Sequence, residues 1–150
     1  MSVDRSYVTL NNAERARFQS LIKSWSDADL GRPMPAGWTV AAVLAHVAFW
    51  DQRALVLLER WEEQGTTPPP HNDADVDWIN DAAKPLLRAL SPRRAAELAL
   101  AIAETVDRKT EMLTDELVAR NAAAGTPVNL VRATHRREHL DEIERALRTR

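Results

Sequence analysis

Apolar residues recur at helical spacing along most of this chain. Phe18, Leu21, Ile22 and Trp25 fall at i, i+3, i+4 and i+7, which predicts a helix from about Asn12 to Leu30. Asn11 followed by Glu14 has the N-cap and N3 pairing of a capping box. The run Gly31-Arg32-Pro33-Met34-Pro35-Ala36-Gly37 then breaks the pattern. Thr39 is placed to cap a second helix reaching about Glu63, with Val40, Val43, Leu44, Val47, Ala54, Leu55, Leu58 and Trp61 as its buried stripe. After the stiff stretch from Gly65 to Pro70, a shorter pattern runs from Asp73 to Leu90 around Val76, Ile79, Ala83 and Leu86. Pro85 removes a backbone donor and is expected to end or kink it.

Ser91-Pro92 is an N-cap followed by an N1 proline, and opens a third long helix with Leu98, Ile102, Val106 and Leu113 along it. Thr114 is placed to cap a further turn through Val118, and Asn121 to Gly125 break the pattern again. Thr126-Pro127 repeats the start signature, and Val128, Val131, Ile143 and Leu147 carry a fourth helix to the C-terminus. Four long helices predict an all-α four-helix bundle in a single domain. Nearly thirty residues separate Glu63 from Pro92, far more than a tight helical hairpin needs. The expected bundle therefore contains a long crossover connection.

Composition agrees. The 150 residues include 24 Ala and 17 Leu, both strong helix formers, and aromatic residues make up 5%. There is no cysteine, which excludes disulfides, Cys-ligated metal and a protein thiol nucleophile. A net charge of −2 argues against a bulk nucleic-acid footprint. Basic charge is almost all arginine, 17 Arg to 3 Lys, a bias expected of GC-rich bacterial coding. Arg132, Arg136 and Arg137 are interleaved with acidic residues and read as a solvated helix face. The polar N-terminal stretch is unlike a signal peptide, and no apolar run reads as a membrane span, so a cytoplasmic protein is expected. Of the five tryptophans, Trp25 and Trp61 sit on inward stripes and read as core.

The candidate chemistry lies in the histidines. His135 and His139 are four apart on the last helix, where side chains stand one above the other, about 5–6 Å apart at Cβ. Such a pair either grips one metal ion or is an ordinary pair of core or surface histidines. His46 lies within Leu44-Ala45-His46-Val47-Ala48-Phe49-Trp50, an apolar setting that favours the neutral, metal-binding imidazole or a satisfied core histidine. His71 follows three prolines and reads as a loop residue outside the site. Asp51 and Glu138 read as helix-surface carboxylates. Glu142 lies nearer the histidine face, either close to a metal or in a salt bridge along the helix.

The stretch from Gly37-Trp38-Thr39-Val40 to His46-Val47-Ala48-Phe49-Trp50-Asp51, the segment Asp75-Val76-Asp77-Trp78-Ile79-Asn80 and the H-x-x-x-H of His135 to His139 stand in order along the chain. Together they resemble the DinB superfamily, which includes the mycothiol-dependent maleylpyruvate isomerase N-terminal domain and the bacillithiol transferases. The chain departs from that pattern after His139, where Leu140-Asp141-Glu142 replaces a Gly-Gln type sequence. The resemblance implies a crossover four-helix bundle with a divalent metal on His46, His135 and His139. Nickel or zinc is expected first, with iron or manganese also compatible with three imidazoles. It further implies a low-molecular-weight thiol cofactor and a thiol S-transferase acting on small electrophiles. A metal-dependent hydrolase of a small molecule is the alternative, and a non-catalytic metal-binding or dimerising helical protein a third. The expected partners are a small-molecule substrate and, for a dimerising bundle, a second copy, with neither nucleic acid nor membrane.

Overall fold

The computed structural model describes residues 2–70 and 72–149, so His71 lies outside the described residues. The elements are α1 (Tyr7–Ser24), α2 (Asp27–Leu30), a 3-10 turn (Pro35–Gly37), α3 (Val40–Gln64), α4 (Asp73–Arg88), α5 (Pro92–Met112), α6 (Asp115–Ala123) and α7 (Ala133–Arg148). No strand occurs among the described residues. The four long helices α1, α3, α5 and α7 form the bundle, in which α3 packs on α5 and α7, and α1 packs on the same two.

Cross-helix pairs set the directions. Tyr7 meets Thr110 and Arg93 meets Ile22, so α1 and α5 are antiparallel. Arg132 and Arg136 meet Asp51, while His135 meets His46, so α7 and α3 are antiparallel. Lys109 pairs with Glu62 at one end, and Ala95 to Ala99 pack with Val40 to Ala48 at the other, so α3 and α5 are parallel. Two consecutive parallel helices require the chain to travel back the length of the first, about 37 Å for 25 residues. The segment carrying α4 makes that return, as the length of the connection predicts.

Helix α3 begins and ends as its sequence indicates. The Thr39 hydroxyl accepts from Ala42 N at 3.1 Å, and Gly65 closes the helix at φ +70, a left-handed position suited to glycine. Contrary to expectation, α3 is by length and composition apolar enough to cross a membrane, with an 18-residue window of mean hydropathy 1.4. Its residues are mostly buried against the other helices, as in the central helix of a bundle.

Other boundaries differ from the sequence pattern for local reasons. Helix α1 starts at Tyr7 and stops at Ser24, and Ser26 with Asp29 forms a capping box that starts α2 afresh. Asn11 and Glu14 are therefore not a cap, because both are buried in mid-helix. The Asn11 amide instead donates to Leu130 O and accepts from Ala133 N, each at 2.9 Å, which caps α7 from a neighbouring helix. Thr126-Pro127 does not open a helix. Thr126 has φ +58, and the Asn121 side chain holds both backbone groups of Val128, accepting at 3.1 Å and donating at 2.8 Å. These bonds occupy backbone groups that a helical turn would use, and α7 begins only at Ala133.

Helix α4 continues through Pro85 to Arg88, with the proline exposed near its solvated end. It contributes no buried residue, and Leu87 rather than Leu86 packs on the core. On α5 the buried face is Ala95, Ala96, Ala99, Ala103 and Val106, while Leu98 and Ile102 are only half-buried. Ala95, Ala96 and Ala99 lie in the same cluster as Ala41, Ala45 and Ala48 of α3, small residues that let the two backbones approach.

The core is divided. One apolar cluster joins Phe18, Leu44, Ala99 and Leu140, and another joins Tyr7, Leu58, Trp61, Val106 and Leu113. Between them lies a layer of buried charge. Arg136, 1% exposed, donates to Asp107 at 3.0 and 3.1 Å, to Asp51 at 3.2 Å and to Asn11 O at 3.4 Å. Arg132 donates to Asp51 at 2.9 Å, and Arg15 to Asp107 at 2.6 Å. The surface readings of Arg132, Arg136 and Asp51 are thus corrected, for all three are buried, with both arginines paired to Asp51. Burial opposes the charge of Arg136, but Asp51 and Asp107 more than offset it and hold its pKa above the usual guanidinium value. Replacing Arg136 by Ala removes four hydrogen bonds, leaving Asp51 with Arg132 and Asp107 with Arg15 as their remaining guanidinium partners, and is expected to cost about 3 kcal/mol. Arg108→Ala, which breaks an exposed i,i+4 pair with Glu104, is expected to cost no more than about 0.5 kcal/mol. Urea unfolding of both variants checks this, and equal losses would contradict the assigned role of the layer.

Candidate metal centre

Three imidazoles converge beside the charged layer. His46 comes from the second turn of α3, and His135 and His139 from successive turns of α7. Their ligand atoms all lie within 4.8 Å of one another. His135 Nε2 is 3.2 Å from His46 Nε2 and 3.0 Å from His139 Nε2. The convergence follows from the antiparallel packing of α3 on α7. The i,i+4 spacing stacks the two α7 rings, and Asp51, five residues beyond His46, is tied to Arg136, the neighbour of His135.

His139 Nδ1 donates to Glu142 Oε2 at 3.2 Å, which fixes the tautomer and leaves the Nε2 lone pair aimed at the other rings. Glu142 thus makes the i,i+3 contact along the helix. The edge of Trp38 contacts His46, ring centroids 5.7 Å apart. Glu138 is exposed and Asp51 is turned into the ion layer, so neither touches an imidazole.

Burial, then the neighbouring rings, pushes His46 down to about 4 and His135 down to about 3. Arg132 and Arg136 add to the effect at His135. Both rings are therefore neutral near pH 7 and present a free lone pair. His135 Nε2 faces two other ring nitrogens yet carries at most one proton, so neutral rings cannot make well-formed hydrogen bonds across both contacts. One cation accepting all three lone pairs removes that conflict. Two nitrogens bound to one ion at about 2.0–2.1 Å stand roughly 2.8–3.4 Å apart for right-angle to tetrahedral arrangements. The separations of 3.2 and 3.0 Å fall in that range, and the group is able to hold a divalent metal ion.

Two clefts meet at the histidines. The larger, about 1090 Å³, is bordered by His46 and His139, with Trp38, Asp77, Glu142 and Arg145. The smaller, about 630 Å³, is bordered by His46 and His135, with Trp50, Arg53, Asn129 and Arg132. Asn80 of α4 lines both, and its side-chain oxygen accepts from Trp50 Nε1 at 2.8 Å. Lys84, further along α4, donates to Ala36 O and lies over the Trp38 ring. Arg53 and Asn80 were not among the expected site residues. For Arg53 a signal was available, since it follows His46 by seven residues and so shares its face of α3.

The sequence profile of the DinB superfamily matches residues 11–143. The chain belongs to the DinB superfamily. Comparison with curated proteins and with solved structures returned no match. The match spans the bundle from α1 to α7 and contains all three histidines of this DinB-superfamily protein.

The depressed pKa values have a thermodynamic consequence for the metal-free protein. Unfolded imidazoles titrate near 6.5, well above the folded values for His46 and His135. Below that pH the unfolded chain binds protons that the folded one refuses, so stability falls as pH drops from 6.5 toward 4. The slope reaches at most about 1.4 kcal/mol per pH unit for each ring. Thermal unfolding with chelator present, at pH 7.5, 6 and 5, is expected to fall less steeply in a His46→Gln/His135→Gln double variant than in the wild type. Parallel curves would show that these rings are not buried neutral.

Proposed function

We propose that this DinB-superfamily protein binds one divalent metal ion through His46, His135 and His139 and acts as a thiol S-transferase on small electrophiles. The observation that carries this reading is the meeting of two clefts at one set of histidines. A two-reactant reaction needs two approaches to a common centre, whereas hydrolysis needs room for one organic substrate. A catalytic site also differs from a structural one in keeping positions free of protein ligands. Among the described residues, the group of potential metal ligands contains these three side chains and no fourth.

A divalent ion at this centre would supply Lewis acidity, favouring the thiolate form of a bound thiol at neutral pH. Because the chain has no cysteine, that thiol is a small molecule. The sulfur forms a bond to the electrophilic carbon, the leaving group departs with its electron pair, and the thiol proton passes to solvent. The chain's own residues hold the geometry. Glu142 keeps the Nδ1 proton of His139, Trp38 shields one side of His46, and the ion layer fixes α7 against α3. Nickel and zinc suit three neutral imidazoles, and iron and manganese are compatible.

Elemental analysis of untagged protein is expected to give about one metal per chain, lost in His46→Ala, His135→Ala and His139→Ala. The wild type, but none of the variants, is then expected to conjugate low-molecular-weight thiols to a chromogenic aryl halide. Absence of metal after reconstitution with nickel or zinc would leave a helical bundle whose histidines serve packing alone. Glu142→Ala, which frees the Nδ1 side of His139, is expected to weaken metal affinity about 10–100-fold in chelator competition while leaving the fold intact. Unchanged affinity would remove Glu142 from the account.

A further inference from the structure

The two clefts differ in charge. Asp77, Asp81 and Glu142 line the larger together with Arg32 and Arg145. The smaller is lined by Arg53 and Arg132 and, among the described residues, by no carboxylate. Arg132 is already engaged, since its Nε donates to Asp51, which it shares with Arg136, and its Nη1 to Asn129 O. Arg53 is not. It is half-buried, its guanidinium lies over the Trp50 ring at 5.5 Å, and no described residue forms an ion pair with it. Burial and the nearby Arg132 both disfavour its charge, so an anion entering the cleft would relieve both penalties.

We infer that the smaller cleft is a carboxylate-binding subsite, in which Arg53 holds the anionic end of a small organic acid whose apolar body lies against Trp50, Val76 and Val128. The donor geometry selects the class of anion. The planar fork of Arg53, which has no ion-pair partner among the described residues, can bind the two oxygens of one carboxylate through two parallel hydrogen bonds. A phosphate would carry further oxygens against walls formed by Ala54, Val76, Pro127 and Val128, which offer them no side-chain donor. The seven residues from His46 to Arg53 are two helical turns, a rise of about 10.5 Å. A molecule that reaches from one to the other is the size of an amino-acid derivative or a small aromatic acid. The subsite rests on the proposed transferase reaction only in giving this carboxylate to one of its two reactants, for Arg53 and the cleft act without a metal.

The test is calorimetric titration of the protein, chelated and zinc-loaded, with 3-phenylpropionate, 3-phenylpropanamide and inorganic phosphate. The acid is expected to bind the chelated protein at least about tenfold more tightly than the neutral amide, as loss of one charge-assisted contact implies. Arg53→Gln is expected to abolish that preference and Arg53→Lys to keep part of it. Both variants are expected to melt no lower than the wild type and to retain its metal content, because no described residue of the ion layer and no described histidine forms a hydrogen bond or ion pair with Arg53. Equal binding of acid and amide, a preference that survives in Arg53→Gln, tighter binding of phosphate, or no binding of the acid would each overturn the subsite. If the protein holds no metal, discrimination in the chelated sample still decides the question. If metal binds and discrimination fails, the subsite alone is lost.

Discussion

The guanidinium of Arg136 is the contact on which the rest of the arrangement depends. It projects from α7 and reaches Asn11 of α1, Asp51 of α3 and Asp107 of α5, so that one planar group touches all four long helices. Taking these charges out of water is expensive, and an apolar layer of equal volume would hold the bundle at least as well. What the charged layer adds is discrimination. Apolar side chains tolerate sliding, but a guanidinium fork facing two carboxylates fits one helical register. Because Arg136 adjoins His135, and Asp51 lies five residues beyond His46, that register also sets how the imidazoles meet. The candidate metal centre thus inherits the geometry of its imidazoles from an ion network that lies beside it.

What could be read from the chain and what could not divides along the same line. The i,i+4 histidine pair, the apolar setting of His46 and the length of the crossover are local facts, and they point to side chains that the fold brings together. The ion layer is invisible locally. Arg132 and Arg136 stand in a charged heptad that looks like any solvated helix face, and their partner Asp51 lies 81 and 85 residues away in sequence. Asn11 misleads for a related reason, since the side chain that resembles a cap for its own helix caps α7 instead. The start of α7 was misplaced because Asn121 claims the backbone of Val128 before a helix can form. In each case a polar side chain is committed to a partner beyond its own helical turn, while sequence pattern reports near neighbours.

The alanine faces explain how a short chain makes room for the two clefts. Small residues on α3 and α5 draw those helices together. On its other side α3 meets α7 through larger groups, the histidines and the ion pairs. The space is walled by the non-helical segment 126–129 on one side, and by Arg32 to Pro35 on the other. Both segments depart from helix, and both were opened by glycine and proline in the sequence. The places where the helical pattern breaks are the places where the bundle admits a guest.

Helix α4 carries a different lesson. The crossover has to exist because α3 and α5 run in the same direction, yet it lends no buried residue to the core. It nonetheless supplies Val76, Asp77, Asn80 and Asp81 to the walls of the two clefts. Substitutions there change what a ligand meets and leave the packing of the four long helices untouched. The crossover is therefore the stretch in which descendants of one ancestral bundle can diverge in substrate preference at little risk to folding.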